Sequence, residues 1–140
     1  MTLPLPALLI AASSLIVLAL GSVHLLFTFW GTRLHPRDAT LMAAMQHGLP
    51  VITHETTMWK AWVGFNASHS YGAMLFGLIY TYLAMVQPRL LLDSPFLLAL
   101  GAALLGAYLH LGFSYWFSVP FRGIAVASLL YATAVVLRMA

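Results

Sequence analysis

Charged side chains are scarce in this chain: 6% of its 140 residues are Asp, Glu, Lys or Arg, whereas 62% are hydrophobic. A soluble domain carries about 25% charged residues, so this composition excludes an ordinary water-soluble globule. The few basic residues are scattered and form no basic patch, so nucleic acid is not expected as a partner. Cysteine is absent, which excludes disulfides, thiolate metal sites and thiol nucleophiles.

Long uncharged stretches occupy most of the chain. A helix needs about 20 apolar residues to cross the hydrocarbon core of a bilayer. Three stretches exceed that length, while the last, Gly123 to Leu137, would be only about 22 Å long and would need its flanking arginines to snorkel. The sequence predicts one all-α domain, an integral membrane antiparallel four-helix bundle. Its spans are expected at about 3–30, 59–86, 95–119 and 121–139.

The first connection is long and contains its own helix signals. Pro36 is suited to a first helical position, Asp38 to a first turn and Gly48 to a helix end. These residues predict a short helix at about 36–47, and its apolar residues recur at the spacing typical of a helix lying in the membrane interface. We expect Thr53 to cap the second span, with Glu55 in its first turn.

The distribution of basic residues predicts an orientation in a cell membrane. Loops rich in Lys and Arg stay in the cytoplasm. The long-loop side should therefore be cytoplasmic, and both termini periplasmic or extracellular. The long-loop side carries Arg33, Arg37, Lys60 and Arg122, whereas the opposite side carries Arg89 and Arg138.

Three histidines, His24, His69 and His110, lie inside uncharged stretches on three different predicted helices. Counted from the long-loop side, they fall at comparable depths of about 9–15 Å. Asn66 lies one helical turn from His69. Ionisable residues are rare in a membrane and usually face the bundle interior. We interpret these four residues as a polar pocket near one membrane face that binds a lipophilic ligand, substrate or cofactor.

Several chemistries remain open for this pocket. Neutral imidazoles could bind a haem or a catalytic metal ion, or could move protons on a lipophilic substrate. The chain has no HExxH motif, so no metal-ligand set is assigned, and whether the protein is an enzyme stays undecided. The other three histidines are interpreted as solvated loop residues. The pocket rim is expected to contain Glu55, Lys60, Trp62 and Arg122, and the solvated histidines are His35, His47 and His54.

The three histidines can also be interpreted as purely structural. Each histidine could simply hydrogen-bond a neighbouring helix, and such bonds average about 0.6 kcal/mol in membrane proteins. Small residues at four-residue spacing predict close helix packing. The alternative function is a non-catalytic accessory subunit, in a homo-oligomer or larger membrane complex, that exposes these small-residue stripes to a partner. The main stripes are Gly64, Ser68 and Gly72; Ala73 and Gly77; Ala102 and Gly106; and Gly123 and Ala127.

Two segments resemble a family of small uncharacterised bacterial membrane proteins with four spans. They are GSVHLLF, beginning at Gly21, and THETTMWKAWVGFNASHSYGAMLFG, beginning at Thr53. The resemblance covers most of the chain and implies a four-span protein of the bacterial inner membrane. It implies no activity, because that family has no function to transfer.

Overall fold

The computed structural model describes residues 3–139. Between these limits the chain forms six helices and no strand. This confirms the all-helical fold class. The helices are α1 (Leu5–Phe29), α2 (Ala39–His47), α3 (Met58–Val86), α4 (Pro88–Leu92), α5 (Pro95–Tyr115) and α6 (Ser118–Met139).

Within the described part of the chain, three helices are long and apolar enough to cross a membrane: α1, α5 and α6. Helix α3 is the longest, at 29 residues, but it is not among them. The reason lies in its first half, where Asn66 and His69 stand among serines and lower its apolar character.

The chain divides into two compact units. The large unit contains the chain up to Leu20 and from Ala73 onward, and the small unit is Gly21–Gly72. Helices α1 and α3 each contribute one part to each unit. The small unit therefore contains the end of α1, the long loop with α2, and the beginning of α3.

The core of the large unit is centred on two buried tyrosines that contact the first turn of α5. The Tyr80 hydroxyl on α3 donates to the Leu97 carbonyl at 2.7 Å, and the Tyr131 hydroxyl on α6 donates to the Leu98 carbonyl at 3.0 Å. Gly101 makes this approach feasible, because a Cβ there would overlap with both tyrosine side chains. A hydroxyl buried in an apolar core needs such a partner.

The part of α1 in the large unit packs closely against α3 and α6. Ser13 is fully buried and its hydroxyl donates to the Ala127 carbonyl at 2.7 Å. Gly77 lies so close to α1 that an added Cβ would stand 2.6 Å from the Leu18 Cβ. The small-residue stripe that contains Gly77 is therefore a packing surface within the chain, as membrane helices commonly use.

Both short connections of the large unit differ in detail from the sequence expectation. The segment from Gln87 to Ser94, which lies between two of the expected spans, contains the short helix α4, which buries Leu91 and Leu92. Helix α6 begins at Ser118, before the expected start at 121, and Pro120 lies in its first turn, where proline is tolerated. With 22 residues α6 is about 33 Å long, so it needs no snorkelling to match a bilayer core.

Two helix starts in the small unit also differ from the sequence expectation. Helix α2 begins at Ala39, not near Pro36, because Asp38 is its N-cap and its carboxylate accepts from the Thr40 N–H at 2.8 Å. Helix α3 begins at Met58, and the Thr57 hydroxyl accepts from the Lys60 N–H at 3.3 Å. The expectation that Thr53 caps this helix was therefore wrong.

Candidate functional site

Three of the four candidate pocket residues come together within the small unit. His24 projects from α1, while Asn66 and His69 project from α3. Residues three apart on a helix lie on the same face, so Asn66 and His69 are presented together. Asn66 is 8% exposed, and both histidines are partly buried.

The centre of this site is a hydrogen bond between His24 and Asn66. The His24 Nε2 atom lies 2.9 Å from the Asn66 Oδ1 atom. The amide nitrogen of Asn66 donates to the Trp62 carbonyl at 2.8 Å, which turns Oδ1 toward His24. Because an amide oxygen can only accept, the proton of this bond must be on Nε2. In neutral His24 the lone pair is then on Nδ1, the nitrogen that can act as a ligand or a base.

His69 packs against the ring of His24. Their ring centroids lie 5.6 Å apart with an interplanar angle of 86°, an edge-to-face arrangement. Nearby backbone carbonyls are engaged by hydroxyl groups: Thr28 donates to the His24 carbonyl and Ser70 to the Asn66 carbonyl. We call His24, Asn66 and His69 the polar cluster. It offers two imidazoles and one amide within a largely uncharged helix pair.

A narrow cleft adjoins the polar cluster. It contains no space for a sphere the size of a water molecule, so a ligand could enter only if side chains moved. Trp62 closes part of it, and its indole N–H donates to the Leu34 carbonyl at 3.3 Å. The cleft is lined by Thr28, Leu34, His35, Trp59, Trp62, Val63 and Asn66.

The loop histidines do not behave alike. His47 and His54 are exposed, as solvated loop residues should be. His35 is partly buried, and its ring packs edge-on against Trp59 at a centroid distance of 4.7 Å. Sequence reasoning missed His35 as a lining residue. The only signal was its position in a loop flanked by tryptophans, which does not identify a partner ring.

The expected rim residues lie in different parts of the chain. Glu55 is exposed in the loop before α3, outside the helical turn where it was expected, and Lys60 is exposed in the first turn of α3. Trp62 is among the residues that line the cleft. Arg122 and His110 are exposed residues of the large unit, whereas the other candidates belong to the small unit.

The residue types in the polar cluster limit its ligand chemistry. Across residues 3–139, no group of three or more His, Asp or Glu side chains is placed to hold a metal ion. Two histidines and an asparagine provide nitrogen and oxygen donors without a carboxylate. Such a set can donate and accept hydrogen bonds, and it can supply a single imidazole to a larger group.

No protein-family model, curated protein or solved structure matches this chain.

Proposed function

We propose that this chain is a multi-pass protein of a cell membrane with four spans, in which α3 is the fourth. At about 1.5 Å per residue its 29 residues extend roughly 43 Å, ample for a core of about 30 Å. A hydrogen bond joins α1 to α3 within each unit: Ser14 to Thr81 in the large unit, and His24 to Asn66 in the small unit. Intramembrane polar side chains are tolerated where they face a neighbouring helix.

We further propose that the polar cluster binds a lipophilic ligand, substrate or cofactor. The observation that carries this proposal is the hydrogen bond from His24 Nε2–H to Asn66 Oδ1. A hydrogen bond that only holds two helices together does not require an ionisable side chain, because hydrogen bonds between serine, threonine or asparagine side chains serve as well. Asn66 orients the imidazole and selects its tautomer, which is what partners of functional histidines do.

The orientation of His24 suits two of the open chemistries. Nδ1 carries the lone pair, so His24 could supply one neutral imidazole to a haem, or accept a proton from a bound substrate, once side chains of the narrow cleft had moved. His69 lies beside His24 and can complete a polar contact with the same molecule.

The test is to purify the protein in lipid nanodiscs and identify what it carries. Absorption spectroscopy detects haem, elemental analysis detects metal, and mass spectrometry of an organic extract detects lipophilic molecules. The variants His24→Phe, Asn66→Leu and His69→Phe probe the cluster. His54→Phe is the matched control, because His54 is an exposed loop residue outside the cluster.

We expect the wild-type protein and His54→Phe to retain one molecule at stoichiometric amount, and each cluster variant to lose most of it. A Soret band would identify haem. A wild-type protein that retains no such molecule, or cluster variants that retain it fully, would overturn the binding proposal.

A second candidate function is that of an accessory subunit in a membrane complex. Two small-residue stripes stay exposed: Gly64, Ser68 and Gly72 on α3, and Ala102 with Gly106 on α5. A Cβ added at Gly64 or at Gly106 would meet no other atom within 4 Å. Exposed small residues in membrane helices allow a partner helix to approach closely.

The exposed stripe of α5 borders a groove of about 360 Å³ between α5 and α6. Ser128 lines this groove, and its hydroxyl oxygen is buried without a hydrogen-bond partner among the described residues. A partner helix seated there would cover apolar surface and could satisfy that hydroxyl.

Native mass spectrometry from mild detergent tests this second function. We expect Gly106→Leu to abolish an assembly that Ala107→Leu preserves, because Ala107 is an exposed neighbour that does not line the groove. A wild-type protein that is monomeric and free of partners at all concentrations would exclude it.

A further inference from the structure

Two apolar side chains at the tip of the long loop project away from the rest of the small unit. Val51 and Ile52 are 107% and 91% exposed, the highest values among the large hydrophobic residues of the described chain. Valine and isoleucine are among the side chains most often buried in proteins. Their full exposure at adjacent positions therefore calls for an explanation.

The two residues occupy the centre of a tight turn. The Thr53 N–H donates to the Pro50 carbonyl at 3.3 Å, which closes a β-turn with Val51 and Ile52 at its middle positions. Such positions usually contain Gly, Pro, Asn, Asp or Ser, because those residues favour turn geometry. Turn formation does not require two β-branched apolar residues. Their role is therefore expected to depend on the apolar surface that they expose.

The segment from Gly48 to Met58 holds this tip in place. Its two ends are joined by the Met58 N–H, which donates to the Gly48 carbonyl at 2.9 Å. A second bond, from the Glu55 N–H to the Thr53 hydroxyl at 3.1 Å, braces the segment after the turn. These two hydrogen bonds therefore hold the tip in a closed loop.

The long loop begins where a candidate span ends. Helix α1 ends at Phe29, and the next residue, Trp30, is 68% exposed. Tryptophan favours the headgroup level of a bilayer. In the same loop α2 has no buried residue, as expected of a helix lying at a membrane surface. The apolar phase nearest to this loop is therefore the bilayer that contains α1.

We propose that Val51 and Ile52 insert into the interface of the same bilayer and anchor the long loop to it. The segment from Gly48 to His54 contains no Asp, Glu, Lys or Arg, which suits entry into the headgroup region. Two side chains offer far less surface than the roughly 800 Å² that each partner contributes to a stable protein interface. This anchor is independent of the ligand proposed for the polar cluster.

Site-directed spin labelling can test this anchor directly, because the native chain has no cysteine. Val51→Cys and Ile52→Cys are labelled in the 140-residue chain, which is reconstituted in phosphatidylethanolamine–phosphatidylglycerol vesicles. Collision rates are measured with oxygen, which concentrates in lipid, and with a water-soluble nickel chelate. Glu55→Cys is the matched control, since Glu55 is exposed in the same loop and carries a charge.

We expect labels at positions 51 and 52 to collide more with oxygen than with the nickel chelate, and the label at position 55 to show the reverse order. Nickel collision rates at 51 and 52 equal to that at 55 would place the tip in water and overturn the proposal. Protection from both reagents would also overturn it, because that result indicates contact with protein.

Discussion

His24 and Asn66 are joined by a hydrogen bond of 2.9 Å between two helices, although they lie 42 residues apart in sequence. The geometry of Asn66 determines its direction, because the amide nitrogen already donates to the Trp62 carbonyl on its own helix. His24 is therefore held in one tautomer, with its Nδ1 lone pair turned away from Asn66. This relationship distinguishes the pair from general polar contacts between helices.

Replacing Asn66 with leucine should release the tautomer of His24. The variant keeps a similar volume but removes both the acceptor for His24 and the donor to Trp62. We expect nitrogen NMR of histidine-labelled protein to show one Nε2–H tautomer for His24 in the wild type and a mixture in the variant. Stability should fall by about 0.6–1.7 kcal/mol, the range for such bonds in membrane proteins.

Ser68→Ala provides the control for this change. The Ser68 hydroxyl donates to the Phe65 carbonyl of its own helix on an exposed face, so its loss should not alter the His24 signal. His24→Gln assigns that signal among the six histidines. An unchanged His24 tautomer in Asn66→Leu would contradict the role given to Asn66.

Alanine should have opposite effects at two glycines of the large unit. At Gly77 the new Cβ would lie 2.9 Å from both the Cα and the backbone nitrogen of Leu18, so the helices would have to separate. We expect a loss of about 1–3 kcal/mol there. At Gly106 a Cβ meets no other atom within 4 Å, so the variant should gain up to about 1 kcal/mol from helix propensity.

Equilibrium unfolding by SDS in mixed micelles, followed by circular dichroism, measures both effects. The two variants serve as controls for each other, because each adds one methyl group to a helical glycine. Equal stability changes at both sites would mean that α1 and α3 do not pack as closely as Gly77 and Leu18 indicate.

The all-helical fold was predictable because uncharged stretches dominate the sequence, and the structure confirms it. The first residue of each helix was harder to predict, because Asp38 and Thr57 become caps only through hydrogen bonds to particular N–H groups. The extent of α6 was underestimated for a related reason. Arg122 was treated as a boundary, whereas an arginine with an exposed side chain fits within a helical turn.

The candidate site was only partly predictable. Asn66 and His69 share a helix face by their spacing, so their association follows from sequence alone. The bond from His24 to Asn66 depends on the rotation of two helices about their axes. Periodicity does not define that rotation, because neither helix has clearly separated apolar and polar faces. The ring contact between His35 and Trp59 depends on loop conformation, for which the sequence has no regular pattern.

Removal of a single hydroxyl from Tyr80 or Tyr131 should destabilise the large unit modestly. Each phenylalanine variant loses one hydrogen bond to the first turn of α5, at Leu97 or Leu98. We expect a loss of about 0.6–1.7 kcal/mol in SDS unfolding for each variant. Tyr82→Phe is the control, because Tyr82 is 57% exposed on the same helix as Tyr80. A loss of similar size in Tyr82→Phe would contradict the specific role of the two buried hydroxyls.

The loops on either side of α3 should lie on opposite faces of the membrane if α3 is the fourth span. Glu55 precedes α3 and Gln87 follows it, and both are exposed. Because the chain has no native cysteine, replacing either residue with cysteine introduces a single thiol. We expect a membrane-impermeant maleimide to label Gln87→Cys in intact cells and Glu55→Cys only in inverted vesicles, since the basic residues near Glu55 favour the cytoplasm. Labelling after detergent permeabilisation shows that both thiols are reactive. Labelling of both variants from one face would mean that α3 does not cross the bilayer.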